Sequence, residues 1–188
     1  MTLEPPSVEQ DNKPEGQSTI LNLYAALGVS IILSVLPFTS AALLSLVFFL
    51  GVLIAAYVVR GDSEKDGLRE NHATYIIRTL WIAAFFSIPT ALAATAYMQY
   101  NIDNTPFDPC FQDLANRGIG WLERANYMDI YEIVQPCIQT YIDVNTTIFI
   151  NSAIIGGGPI LLYMAYRLAR GVSRVIKGYR LANPRALF

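Results

Sequence analysis

Few residues in this chain could do chemistry. It has one histidine, His72, and two cysteines, Cys110 and Cys137, among 188 residues. One histidine leaves little room for a histidine-based triad or a zinc cluster. No nucleophile–base pair and no phosphate-binding glycine loop can be read, so no catalytic residue, metal or cofactor is expected. The densest polar run is Glu70-Asn71-His72-Ala73-Thr74-Tyr75-Ile76-Ile77-Arg78-Thr79-Leu80-Trp81. Ionisable groups in apolar surroundings are costly and mark ion, proton or headgroup sites. The simpler reading has Arg78 snorkelling to phosphate, His72 in the interface and Trp81 anchoring a helix, and it takes precedence.

Three further groups stand out. Cys110 and Cys137 share one polar stretch without Cys-x-x-Cys spacing, a pattern that outside the cytoplasm predicts a disulfide. Closing a loop of about 28 residues would contribute roughly 3 kcal/mol in the chain-entropy model. Gly156-Gly157-Gly158-Pro159 interrupts an apolar segment. It is read first as a notch for close packing against Ala83, Ala84, Ala91 and Ala94, and second as a helix break exposing carbonyls to ions. Finally, at about 100° per residue, Arg167, Arg170, Arg174, Lys177 and Arg180 fall in one arc. Leu168, Val172, Val175, Ile176 and Tyr179 fall in the opposite one. This predicts a basic amphipathic helix, ended at Asn183-Pro184, that contacts anionic phospholipid headgroups or a partner. Asn145-Thr146-Thr147 matches a glycosylation sequon, read as chance.

The elements that carry these groups are long and apolar. Hydrophobic residues make up 53% and charged residues 15% of the chain, against roughly 25% charged in soluble domains. Mean hydropathy is +0.37. The net charge of −2 offers no global basic field for nucleic acid. Residues 1–17 read as a disordered acidic tail without the basic start of a secretory signal. Residues 18–98 hold three spans. From Ile20 to Val59 the chain is too long for one crossing of a bilayer core about 30 Å thick. Proline at Leu36-Pro37-Phe38-Thr39-Ser40 therefore divides Ile20–Leu36 from Ala41–Val59, with Ser or Thr capping the second helix. The first is short and holds Asn22, so an interfacial or re-entrant segment is its alternative. The third span is Tyr75–Tyr97, with Asn71 as N-cap and Pro89 as a kink. The insert 99–146 is punctuated by Pro106, Pro109, Gly118, Gly120 and Pro136 and is expected to form two or three short helices as a lid. The fourth span is 147–168, and 169–188 forms the basic helix. Basic residues cluster at 60–78 and 167–185, while acids dominate 99–146. The positive-inside rule then puts both termini in the cytoplasm and the insert outside.

The run Gly51-Val52-Leu53-Ile54-Ala55-Ala56-Tyr57-Val58-Val59-Arg60, with His72 and Ile77-Arg78-Thr79-Leu80-Trp81, resembles a family of small bacterial inner-membrane proteins of unknown function. These are distantly likened to a chloroplast envelope translocon subunit. Tyr166-Arg167, Arg170-Gly171 and Asn183-Pro184 fit the same pattern. The resemblance covers the four spans, about two thirds of the chain. The insert departs from it, because members of the family have a short loop there. It implies a bacterial, multi-span, non-enzymatic protein and brings no characterised chemistry.

The expectation is thus an all-α integral membrane protein. It has four transmembrane helices, a small helical, disulfide-linked extracytoplasmic insert and a basic amphipathic C-terminal helix. A structural or accessory role in the bacterial inner membrane follows, with other membrane subunits or further copies of itself as partners. The alternative is a small oligomeric transporter or channel using the glycine–proline break.

Overall fold

A computed structural model describes residues 16–36 and 38–185. Among these there is no strand, and six α-helices follow in order: α1 Gln17–Val35, α2 Thr39–Gly61, α3 Leu68–Asn101, α4 Asp108–Arg117, α5 Ile119–Leu122 and α6 Tyr127–Ile176, with a 3₁₀ turn at Thr105–Phe107. Four of them, α1, α2, α3 and α6, are long and apolar enough to cross a membrane. The described residues divide into two compact units. One holds the chain up to Phe86 together with the part from Leu161 onward, and the other holds Ser87–Ile160.

In the first unit α1 and α2 pack as a helical hairpin. Leu36 is extended, as the residue before a proline must be, and its N–H bonds the Leu33 carbonyl. Pro37 lies outside the described residues. The expected Ser/Thr cap of α2 does not form. Thr39 is already helical, Phe38 occupies the cap position, and no side chain closes the end. What joins the two helices is a reciprocal serine clamp. Ser30 Oγ donates to the Ser45 carbonyl at 3.0 Å and Ser45 Oγ donates to the Ser30 carbonyl at 2.8 Å, both buried. Small hydroxyl residues let backbones approach and bond across apolar helices. The outward faces are bare hydrocarbon: Leu43, Val47, Ile54 and Val58 on α2 and Phe85 on α3 are each more than three-fifths exposed.

Three boundaries differ from expectation. α3 begins at Leu68, so Asn71 is inside the helix and not its cap. The tail was expected to run through residue 17, but Gln17 opens α1 and is buried; residues 1–15 lie outside the described part. The third concerns the basic helix expected over 169–188. α6 stops at Ile176, because Gly178 takes the left-handed conformation at φ 69°. Gly178 N–H bonds the Val175 carbonyl and Tyr179 N–H bonds the Arg174 carbonyl. This pair is the Schellman closure, for which glycine is favoured because it has no Cβ to clash. Beyond it the chain is not helical through Arg185.

The second unit holds the latter part of α3, the short helices and most of α6. The disulfide between Cys110 and Cys137 is present, with Cα atoms 6.4 Å apart, and links α4 to α6. Both cysteines are buried. The insert forms helices as expected, but its last stretch is no separate piece. From Tyr127 it belongs to α6, whose 50 residues extend about 75 Å at 1.5 Å per residue. The expected start of the fourth span at 147 marks a change of polarity within one helix.

Candidate functional site

The densest set of buried polar side chains lies in the first unit, where α1, α3, the end of α6 and the segment after it meet. α3 supplies His72, Tyr75 and Thr79, spaced so that all three share one helical face. α6 supplies Arg167, which is 1% exposed. α1 supplies Gln17 and Tyr24.

His72 is fully buried, and both ring nitrogens are used. Nε2 lies 3.0 Å from the Tyr179 carbonyl, and Nδ1 lies 2.9 Å from the Tyr24 hydroxyl. A carbonyl only accepts, so Nε2 carries the proton and donates. In the neutral ring Nδ1 is then the acceptor and the Tyr24 O–H the donor. The two rings meet edge to face at 5.8 Å. Tyr24 reaches this place because Gly171 on α6 makes room. A Cβ there would collide with the Tyr24 hydroxyl and ring.

Arg167 was expected on the outer basic arc, in contact with lipid. It points inward. Its Nε donates to Thr79 Oγ1 at 2.9 Å and an Nη to the Tyr75 carbonyl at 3.4 Å. The guanidinium carbon sits 3.6 Å from the centre of the Tyr75 ring. The Tyr75 hydroxyl donates to the carbonyl of Arg167 itself at 3.2 Å, and Thr79 Oγ1 donates to the Tyr75 carbonyl at 2.7 Å. A guanidinium can be buried in this way because its planar, weakly hydrated fork stacks on an aromatic face while its edges bond. Projection on a helical wheel groups the five cations but not their depth, which is set by the packed neighbour. The rest of the stripe divides accordingly. Arg170 is half-buried and bonds the Tyr166 hydroxyl at 3.3 Å. Arg174, Lys177 and Arg180 are exposed, as is Arg78.

The segment after α6 is stitched to the start of α3. Asn71 Nδ2 donates to the Leu181 carbonyl at 3.0 Å, and Leu181 N–H donates to Asn71 Oδ1 at 2.8 Å. Arg180 donates to the Asp66 carbonyl. Gln17 Nε2 donates to the carbonyls of Val175 at 2.7 Å and Ile176 at 3.0 Å. These belong to the last turn of α6, where carbonyls have no partner within the helix. Gln17, Tyr24, Asn71, Tyr75, Thr79 and Gly171 were not picked out as site residues from the sequence. The 72–75–79 face was the signal that could have found three members of this network.

The second unit shows the other candidates. The helix is continuous through Gly156-Gly157-Gly158-Pro159. A Cβ on Gly156 would stand 3.2 Å from the Ala94 Cβ, so this glycine permits close approach to α3; Gly157 has nothing within 4 Å and Gly158 meets only Ile154 of its own helix. Pro89 likewise lies inside a continuous α3. The sequon residue Asn145 is fully buried. It accepts from Asp103 N–H at 2.8 Å and donates to the Asp103 carbonyl at 2.8 Å and the Tyr141 carbonyl at 2.9 Å. The exposed Asp103 carboxylate accepts the Thr105 N–H at 2.9 Å. That bond holds its pKa below the usual carboxylate range. Among the described residues no group of three or more His, Cys, Asp or Glu could hold a metal ion. No protein-family model, no curated protein and no solved structure matches the chain.

Proposed function

We propose that this chain is a four-span protein of a bacterial inner membrane and serves as a non-enzymatic structural or accessory subunit of a larger membrane complex. Both termini lie in the cytoplasm and residues 99–146 outside it. The distribution of basic and acidic residues supports that orientation. The bare hydrocarbon of α2 supports the membrane, since soluble proteins seldom leave such a contiguous face open. Arg174 and Lys177, exposed beside a span end, suit anionic headgroups.

One observation carries the structural role. In the first unit His72 and Asn71 bond backbone groups of the segment beyond α6, Gln17 bonds carbonyls of the last turn of α6, and Arg167 bonds a hydroxyl and a carbonyl of α3. Polar groups used in this way join helices. Transport through a mid-membrane break has less support, because α6 runs unbroken past Pro159. Only the Ile155 carbonyl loses its helical partner to the proline.

The test is purification of the tagged full chain from its native membrane in mild detergent, followed by native mass spectrometry. The expected result is a set of stoichiometric partner subunits. A lone homo-oligomer that conducts ions in liposomes would overturn the accessory reading in favour of transport.

A further inference from the structure

At the start of α3 the first unit contains a polar cavity of about 490 Å³, within the range of roughly 300–1,000 Å³ typical of small-ligand sites. One wall is Asp66 and Glu70, and the other is the segment after α6, with Arg180, Asn183 and Arg185. The charges on these walls are not spent on each other. Among the described residues neither carboxylate forms an ion pair, and neither does Arg180 or Arg185. Thr74 also lines the cavity. It is 6% exposed, and its hydroxyl has no hydrogen-bond partner. A buried hydroxyl left unpaired is costly and calls for an explanation.

The walls are held in place from both sides. Asp66 is the single non-glycine residue with positive φ among the described ones, at 61°. Its N–H donates to Glu70 Oε2 at 3.1 Å and its carbonyl accepts from Arg180. The Asn71–Leu181 pair fixes the opposite wall to α3. Strained backbone maintained by its surroundings is a feature of binding sites.

We propose that this cavity binds a zwitterion in which a primary ammonium is joined through a short linker to a phosphate. The ammonium faces Asp66 and Glu70, whose oxygens accept its three N–H bonds. The phosphate faces Arg180 and Arg185, whose planar forks suit its oxygens. An anion alone would meet two carboxylates and a cation alone two guanidiniums, so only a molecule bearing both charges fits both walls. The same chemistry is supplied by the headgroup of an ethanolamine phospholipid or by a soluble aminoalkyl phosphate. The site does not depend on the accessory role, and only the lipid source rests on the four-span reading, which is tested separately by topology.

The experiment is calorimetric titration of the full chain in dodecyl maltoside with phosphoethanolamine. Inorganic phosphate, ethanolamine and phosphocholine serve as comparators. Phosphoethanolamine is expected to bind at least tenfold tighter than each of them, because the first two lack one charge and the third has no N–H to donate. Glu70→Gln keeps the acceptor for Asp66 N–H but removes the charge, and Arg185→Gln alters an exposed side chain. Each is expected to weaken binding about tenfold while thermal unfolding stays unchanged. In nanodiscs, loss of the titration when phosphatidylethanolamine replaces phosphatidylcholine identifies the lipid as the source; an unchanged titration identifies the soluble molecule. Absence of phosphoethanolamine binding, phosphate binding equally well, or both variants binding like the parent would overturn the proposal.

Discussion

Each of the two units is stabilised internally by its own means. In the first, the residues that matter are far apart in sequence and deeply buried: Gln17 reaches Val175, His72 reaches Tyr179 and Arg167 reaches Thr79. In the second, one covalent bond spans 27 residues. Around it many side-chain bonds are local and exposed, such as Arg117 to Asp113, Arg124 to Gly120 and Thr140 to Pro136. Where apolar helices offer no hydrophobic drive toward one another in lipid, buried polar bonds supply specificity. Where a short polar stretch cannot build a large core, a disulfide limits its unfolded states.

The contrast is broken most severely at Arg167. Arg167→Ala leaves Thr79 and the Tyr75 carbonyl without their cationic donor and opens a void over the Tyr75 ring. A loss of about 4 kcal/mol is expected from the charged hydrogen bonds and the cavity together. Thermal unfolding in detergent, followed by tryptophan fluorescence, measures it. A loss below about 1 kcal/mol would show that the buried guanidinium does not hold the first unit together.

Cys110→Ser with Cys137→Ser comes next. The crosslink is expected to contribute about 3 kcal/mol to the second unit. Hydrogen exchange should speed up across α4 and the start of α6 while α1 and α2 keep their protection. Equal loosening of α1 and α2 would contradict the separate means of support.

The smallest effect belongs to the serine clamp. Ser30→Ala or Ser45→Ala alone should cost about 0.6–1 kcal/mol, near the average for hydrogen bonds between membrane helices. The double variant should cost less than the sum, since the contact between the two serine hydroxyls, at 3.3 Å, is lost in either single change. Strict additivity in the double-mutant cycle would show that the two serines act independently.

What could be read in the sequence was what depends on composition and spacing. The four apolar helices follow from hydrocarbon runs longer than a soluble domain tolerates, and the disulfide follows from two cysteines confined to one stretch. The end of α6 was also encoded, in Lys177-Gly178, but a periodic pattern of cations carried the expected helix beyond it. Depth could not be read. Arg167 and Arg174 are both arginines on one arc, and only the neighbouring Tyr75 and Thr79 make the first a buried strut and leave the second at the surface. The partners of Gln17 and Asn71 lie more than 100 residues away. No local pattern specifies such a pairing, so both were read by their immediate neighbours, as the end of a tail and as a helix cap.

The proposed topology has four helices crossing the membrane, with residues 99–146 on the far side from the α2–α3 connection. It is tested most directly by reporter fusions that are active on one side only, placed after Arg60 and after Asp113. Opposite signals are expected, with the Arg60 fusion reporting cytoplasm and the Asp113 fusion reporting the outside. The same signal from both positions would contradict the four-span account.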